Sequence, residues 1–339
     1  MSHRLIEEIL ETNKRRSEEF RKNIIPRREY RERHPTEIGV TMCMDGILNF
    51  FNLTGCLFGL ITTFRNIGGV HDLGWPMVHS TLNNWEAYAH SKRRSAMLLI
   101  TYHFSSSKQE FGCKGFDFDV HSAIARMFQF RDQVEDCYSE RIFPVVMGIE
   151  TDSDALVIHG DNGATLDMRY IAQEADEHFL RRRVDEVLKV PERIREDLIP
   201  LLLGNAMRVL EVRESKRAPQ DYEHCERVLG IGQGFDWLNH HNLTLVVGLC
   251  DPSLNKPIIT ATKIIRENWK SGRINHGGVL LVSTPYRDSK DRKPAIEQSK
   301  YLVRFASDYI RKELPDMADF FTPLVGVINR DDRRFEVCG

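Results

Sequence analysis

The chain has 339 residues, with 47 Lys and Arg against 49 Asp and Glu and a formal net charge of −2. That balance gives no electrostatic basis for binding nucleic acid or an anionic membrane, and no apolar run reaches the roughly 20 residues of a bilayer span. The opening segment, Met1 to Arg33, is too polar for a secretory signal, so a cytoplasmic protein is expected, and seven scattered cysteines do not read as a disulfide framework.

Residues 2–33 carry Leu5, Ile6, Ile9 and Leu10 at helical spacing, and Pro26 is expected to end or kink that helix. Its many arginines alternate with glutamates, which suits a solvated face. Ile38–Met44 reads as a short strand closed by the turn pair Asp45-Gly46. Leu57–Phe64 reads as a second strand, closed by Asn66 and Gly68-Gly69. Leu82–Lys92 fits a helix, Met97–Tyr102 a buried strand, and Asp119 can cap a helix through Tyr138. Phe143–Ile149 and Ala155–His159 are further strands. Strands alternating with helices predict an α/β fold, a mainly parallel sheet flanked by helices.

Residues 171–227 are helical and charged, with Pro191 and Pro200 as breaks. The strand pattern resumes at Leu243–Leu249, Gly278–Ser283 and Leu324–Ile328. Gly230-Ile231-Gly232-Gln233-Gly234 lacks the full dinucleotide pattern and reads as a turn. Ala96-Met97-Leu98-Leu99-Ile100 is echoed by Gly278-Val279-Leu280-Leu281-Val282, and the run from Pro144 by that from Pro323. The elements follow in one order, which argues for duplication. Where the first copy leads into His103, the second leads into Pro285, which cannot bind a metal.

Cys43, Asp45, His103 and Cys113 form the constellation with chemistry in it. Cys43 and Asp45 close one strand, His103 follows another, and Cys113 lies in the next loop. Ligands gather at the carboxyl ends of parallel strands. Two thiolates and one imidazole suit zinc, and three donors with an open fourth position describe a catalytic site. Zinc lowers the pKa of bound water towards about 7, and Asp45 can orient the resulting hydroxide. The spacing is not a compact zinc-binding pattern, and any one of these residues taken alone is more simply read as core. His240, His241 and His276 read as surface histidines, the remaining cysteines as buried or idle thiols. The serines at 105–107 lack a nucleophile elbow and suit a loop hydrogen-bonded around the ligands.

The surrounding words add a resemblance. Cys43-Met44-Asp45, then Phe64-Arg65-Asn66-Ile67-Gly68-Gly69, then His103 with Gly112-Cys113 resemble, in order, the β-carbonic anhydrases. Those enzymes carry a CxDxR motif, an RNAGG-like turn and a later His and Cys pair. The long interval from His103 to Cys113, Tyr102–Ser107 and Gly148–Ala155 resemble a divergent branch, the carboxysome shell carbonic anhydrases, formerly the ε class. The resemblance covers residues 38–170 well and the remainder as architecture.

It implies a zinc enzyme hydrating carbon dioxide to bicarbonate, with Cys43, His103 and Cys113 on the metal and Asp45 catalytic. It implies a β-carbonic-anhydrase-like fold: an N-terminal helical segment (1–37), a catalytic domain (38–170), a helical connector (171–227) and a degenerate copy (228–339). It also implies a homodimer or larger assembly, in the cytoplasm or within carboxysomes, and leaves association with the carboxysome shell or Rubisco open. Two departures stand out. The family's motif arginine, which pairs with the aspartate, is Ile47 here, so Asp45 either closes the zinc site or takes another cation, with Arg65 the candidate partner. The flexible tail that can engage Rubisco is not evident ahead of the first strand. A related hydrolase of carbon disulfide or carbonyl sulfide, and a zinc-holding scaffold without turnover, are the alternatives.

Overall fold

The computed structural model describes residues 2–216, 224–238 and 243–338. Helices α1 (Ser2–Lys22) and α2 (Ile24–Arg33) open the chain. The break falls at Asn23, and Pro26 sits in the first turn of α2, where its missing N–H costs nothing. Strand β1 (Thr36–Cys43) leads to the short helix α3 (Phe50–Thr54), capped by the Asn49 side chain. Strand β2 (Ile61–Asn66) starts later than the Leu57–Phe64 run suggests, because Gly59, at positive φ, interrupts the first half of that run. Then come α4 (Pro76–Ser91), β3 (Ser95–Phe104), α5 (Val120–Tyr138), β4 (Ile142–Glu150), β5 (Ala155–His159) and β6 (Thr165–Asp167).

Helices α6 (Met168–Ile171), α7 (Glu177–Val187) and α8 (Glu192–Ser215) follow. Pro191 caps α8, as a break should, but Pro200 lies inside it. Buried Leu198, Ile199, Leu201 and Leu202 surround that proline, so packing holds the helix across its missing hydrogen bond. Strands β7 (Val228–Gly232) and β8 (Thr244–Val247), helix α9 (Asn255–Lys270), β9 (Gly278–Tyr286), α10 (Ser289–Glu313), β10 (Phe321–Asn329) and β11 (Phe335–Val337) complete the chain. Three of the five residues of the expected glycine turn at 230–234 are thus strand. His240 and His241 lie outside the described residues. Among the described residues no helix is long and apolar enough to cross a membrane.

The chain divides into two compact units. One holds Ile25–Cys43 and Leu48–Glu223; the other holds Met1–Ile24, Met44–Ile47 and His224–Gly339. In the former, the sheet order is β2-β1-β3-β4-β5-β6. The first four strands are parallel, and β5 and β6 return antiparallel. Met97 to Ile100 at its centre are wholly buried, which explains their unbroken apolar run. In the other unit the order is β8-β7-β9-β10-β11, with β11 antiparallel.

The second sheet repeats the order of the first five strands of the first, without a counterpart of β6, and their registers agree. Leu98 pairs with Pro144 in one, Leu280 with Pro323 in the other. Ile38 pairs with Met97 in one, Val228 with Val279 in the other. Five residues on from Ile38 and Val228 stand Cys43 and Gln233; six on from Met97 and Val279 stand His103 and Pro285. The second copy keeps the strands and lacks these two donors.

Candidate metal centre

Cys43 is the last residue of β1, and His103 is the last but one of β3. His103 therefore lies within its strand, not after it. The two strands are parallel neighbours, with Thr41 paired to Ile100, so their carboxyl ends emerge side by side. Cys113 arrives from the loop after β3, between two single 3-10 turns, Gln109–Phe111 and Lys114–Phe116. All three are buried, at 6%, 2% and 4% exposure.

Their donor atoms lie within 4.8 Å of one another, and the Sγ atoms of Cys43 and Cys113 are 3.9 Å apart. That is too long for a disulfide, whose S–S bond is about 2.05 Å. Two Zn–S bonds of about 2.3 Å at the tetrahedral angle would put the sulfurs about 3.8 Å apart. The donor set therefore fits zinc by chemistry and by spacing.

Glycines bring the backbone close enough. Gly69, at φ +69°, ends the turn after β2; a Cβ there would lie 2.8 Å from the Thr101 carbonyl and 3.3 Å from the Cys43 amide. Gly68, at φ +61°, lies against the Phe116 ring, beside the Cys113 loop. The Asn66 side chain donates to the Val70 carbonyl, and His71 Nδ1 lies 2.9 Å from the Gly69 carbonyl. Together these contacts fix the glycine turn between the strand ends. Arg65 donates to the Cys43 carbonyl at 2.9 Å and to the Leu48 carbonyl at 2.6 Å. It thereby ties the Cys43 backbone to that of Leu48.

The 105–107 serines are bound as a loop. Ser105 Oγ and the Ser107 amide donate to Asp152, and the Ser106 amide donates to Glu150. Arg169, paired with Asp167, donates to Ser106 Oγ. Burial pushes the Glu150 carboxyl up. Burial also acts on Asp152, but hydrogen bonds, that from Ser105 foremost, hold it below the usual carboxylate range. Glu150, Asp152 and Arg169 had no assigned role in the sequence; two carboxylates directly after an apolar strand were the available signal.

Asp45 belongs with the other unit. The residue is 7% exposed, and Oδ1 accepts from the Ile47 amide at 3.0 Å. Asp45, His224 and Glu226 bring their polar atoms within 4.8 Å of one another, a grouping that sequence spacing does not reveal. His224 Nδ1 lies 2.8 Å from Glu226 Oε1. Burial disfavours charge on His224, but the Glu226 hydrogen bond and the Asp45 and Glu226 charges lift its pKa to about 9. His276 is exposed, as expected, and lies beside the rings of Trp269 and Phe320.

No family model matches the chain. It is distantly similar to the carboxysome shell carbonic anhydrase of Prochlorococcus marinus subsp. pastoris (strain CCMP1986 / NIES-2087 / MED4), 22% identical over 244 residues. That alignment covers 61% of this chain and 47% of the relative, so the chain matches about half the length of that protein.

Proposed function

We propose that the chain is a zinc-dependent carbonic anhydrase of the divergent β-class branch, interconverting carbon dioxide and bicarbonate. The observation that carries this reading is the buried Cys43, His103 and Cys113 set, with its sulfurs 3.9 Å apart at adjacent parallel strand ends. The distant similarity to a carboxysome shell carbonic anhydrase supports the same class. Bound zinc would supply Lewis acidity and lower the pKa of a coordinated water to about 7.

The chain's own residues do the rest. Cys43 and Cys113 would hold the metal as thiolates and His103 as a neutral imidazole. Their burial excludes bulk water, which strengthens electrostatic interactions at the site. Arg65 fixes the Cys43 carbonyl and so the backbone carrying that ligand. Asp45, two residues beyond Cys43 in the chain, would accept a hydrogen bond from the water that adds to carbon dioxide and so orient it.

A substrate panel tests the reading. We expect wild-type protein to hydrate carbon dioxide and to leave carbon disulfide and carbonyl sulfide largely unturned. Turnover of either sulfur compound without carbon dioxide hydration would contradict it. By the same reading the chain forms a homodimer or larger assembly, in the cytoplasm or within carboxysomes. A strictly monomeric mass by light scattering at micromolar concentration would contradict the assembly.

A further inference from the structure

Asp45 carries a buried carboxylate, and Ile47 beside it offers no side-chain donor. The segment holding both is pinned in place. The Val246 amide of β8 donates to the Met44 carbonyl at 2.8 Å, and Gly46 sits so close to Thr244 that a Cβ would lie 2.1 Å from its carbonyl oxygen. A carboxylate fixed out of water needs donors that are fixed with it.

His224 is built as such a donor. It stands just before β7, and its Nδ1 meets Oε1 of Glu226 at 2.8 Å. Glu226 is fully buried, and its Oε2 accepts from Asn268 Nδ2 on α9 at 3.0 Å. The same amide also donates to the Glu226 carbonyl at 3.1 Å, and Asn268 is itself fully buried. Helix and strand thus fix the Glu226 side chain, and Glu226 fixes the imidazole. Ionised carboxylates only accept, so between Asp45 and Glu226, whose ligand atoms lie within 4.8 Å of its own, the imidazole is the group that can donate.

We propose that His224, held by Glu226 and Asn268, is the residue that positions the Asp45 carboxylate. This rests on the catalytic role proposed for Asp45. The same three groups have the spacing to hold a metal ion. Both Glu226 oxygens are already committed, however, one to His224 and the other to Asn268. The arrangement is therefore a hydrogen-bonded relay, with His224 a positioning residue.

A double-mutant cycle decides it, with His224→Gln and Asp45→Asn singly and together, read by thermal unfolding, kcat, KM and metal content of the full chain. We expect His224→Gln to lower kcat about 10- to 100-fold, as supporting partners of a site do, with KM and zinc content unchanged. In the Asp45→Asn background that drop disappears, and the unfolding midpoints are non-additive. Ile47→Arg, adding a donor next to Asp45, restores part of the turnover lost in His224→Ala. Additive effects in unfolding and in kcat, or a second metal per chain that His224→Gln removes, would overturn the proposal. Should the wild type fail to hydrate carbon dioxide, the functional reading falls, while the unfolding cycle still decides whether the two residues are paired.

Discussion

Cys43, His103 and Cys113 were legible in the sequence because each sits at a place that local pattern defines: a strand end, an apolar strand and a glycine-flanked loop. Arg65 was legible as a nearby cation. Its observed bonds go to the Cys43 and Leu48 carbonyls, a backbone role that side-chain chemistry alone does not indicate. His224 and Glu226 were not legible beside Asp45, since no local period links residues so far apart. Two predictions belong at this scale. Asp45→Asn should keep zinc and lower carbon dioxide hydration by about 10²- to 10⁴-fold, the usual range for a lost acid–base group; unchanged turnover would remove Asp45 from the chemistry. His224, ordinarily near 6.5 and raised to about 9, stabilises the fold fully below pH 6.5, and that contribution is lost as pH rises through about 9. Thermal midpoints should therefore fall across that window more steeply in wild type than in His224→Gln. Parallel curves would contradict the pairing.

At the level of elements, periodicity gave the main strands and the longer helices up to Ser215, while α9 and α10 were not read from the sequence and two strands were misplaced or missed for local causes. β7 was missed because Gly230 and Gly232 look like turn residues, yet its other members, Val228, Leu229 and Ile231, are wholly buried. β2 was placed too early because Leu57, Phe58 and Leu60 are apolar, although they fill the connection after α3. The Ile67–Gly69 turn matters most for the site. Gly69 needs both its left-handed backbone and the absence of a Cβ, whereas Gly163, at φ +76°, has open space around it. Gly69→Ala should cost more than Gly163→Ala, on the order of 1–3 kcal/mol for the backbone strain alone plus the clash with Thr101. Comparing thermal midpoints and zinc retention against a chelator checks this. Equal effects at the two glycines would mean the turn does not set the ligand geometry.

Across the whole molecule, the sequence echo between the two strand-rich regions corresponds to two sheets that share the order of five strands and their register. The division into compact units was less legible. Helix α1 and the segment Met44–Ile47 group with the C-terminal sheet, and such tertiary grouping leaves no periodic trace in sequence. With Gln233 and Pro285 at the positions of Cys43 and His103, the second copy has no equivalent donor set, so zinc should bind once per chain and not twice. The most direct measurement is stopped-flow carbon dioxide hydration on protein of known zinc content, for wild type and Cys113→Ala. We expect about one zinc per wild-type chain, rapid hydration that tracks zinc through chelation and reconstitution, and loss of both in Cys113→Ala. Full zinc and no hydration in the wild type, or undiminished zinc and hydration in Cys113→Ala, would contradict a catalytic zinc on these three residues.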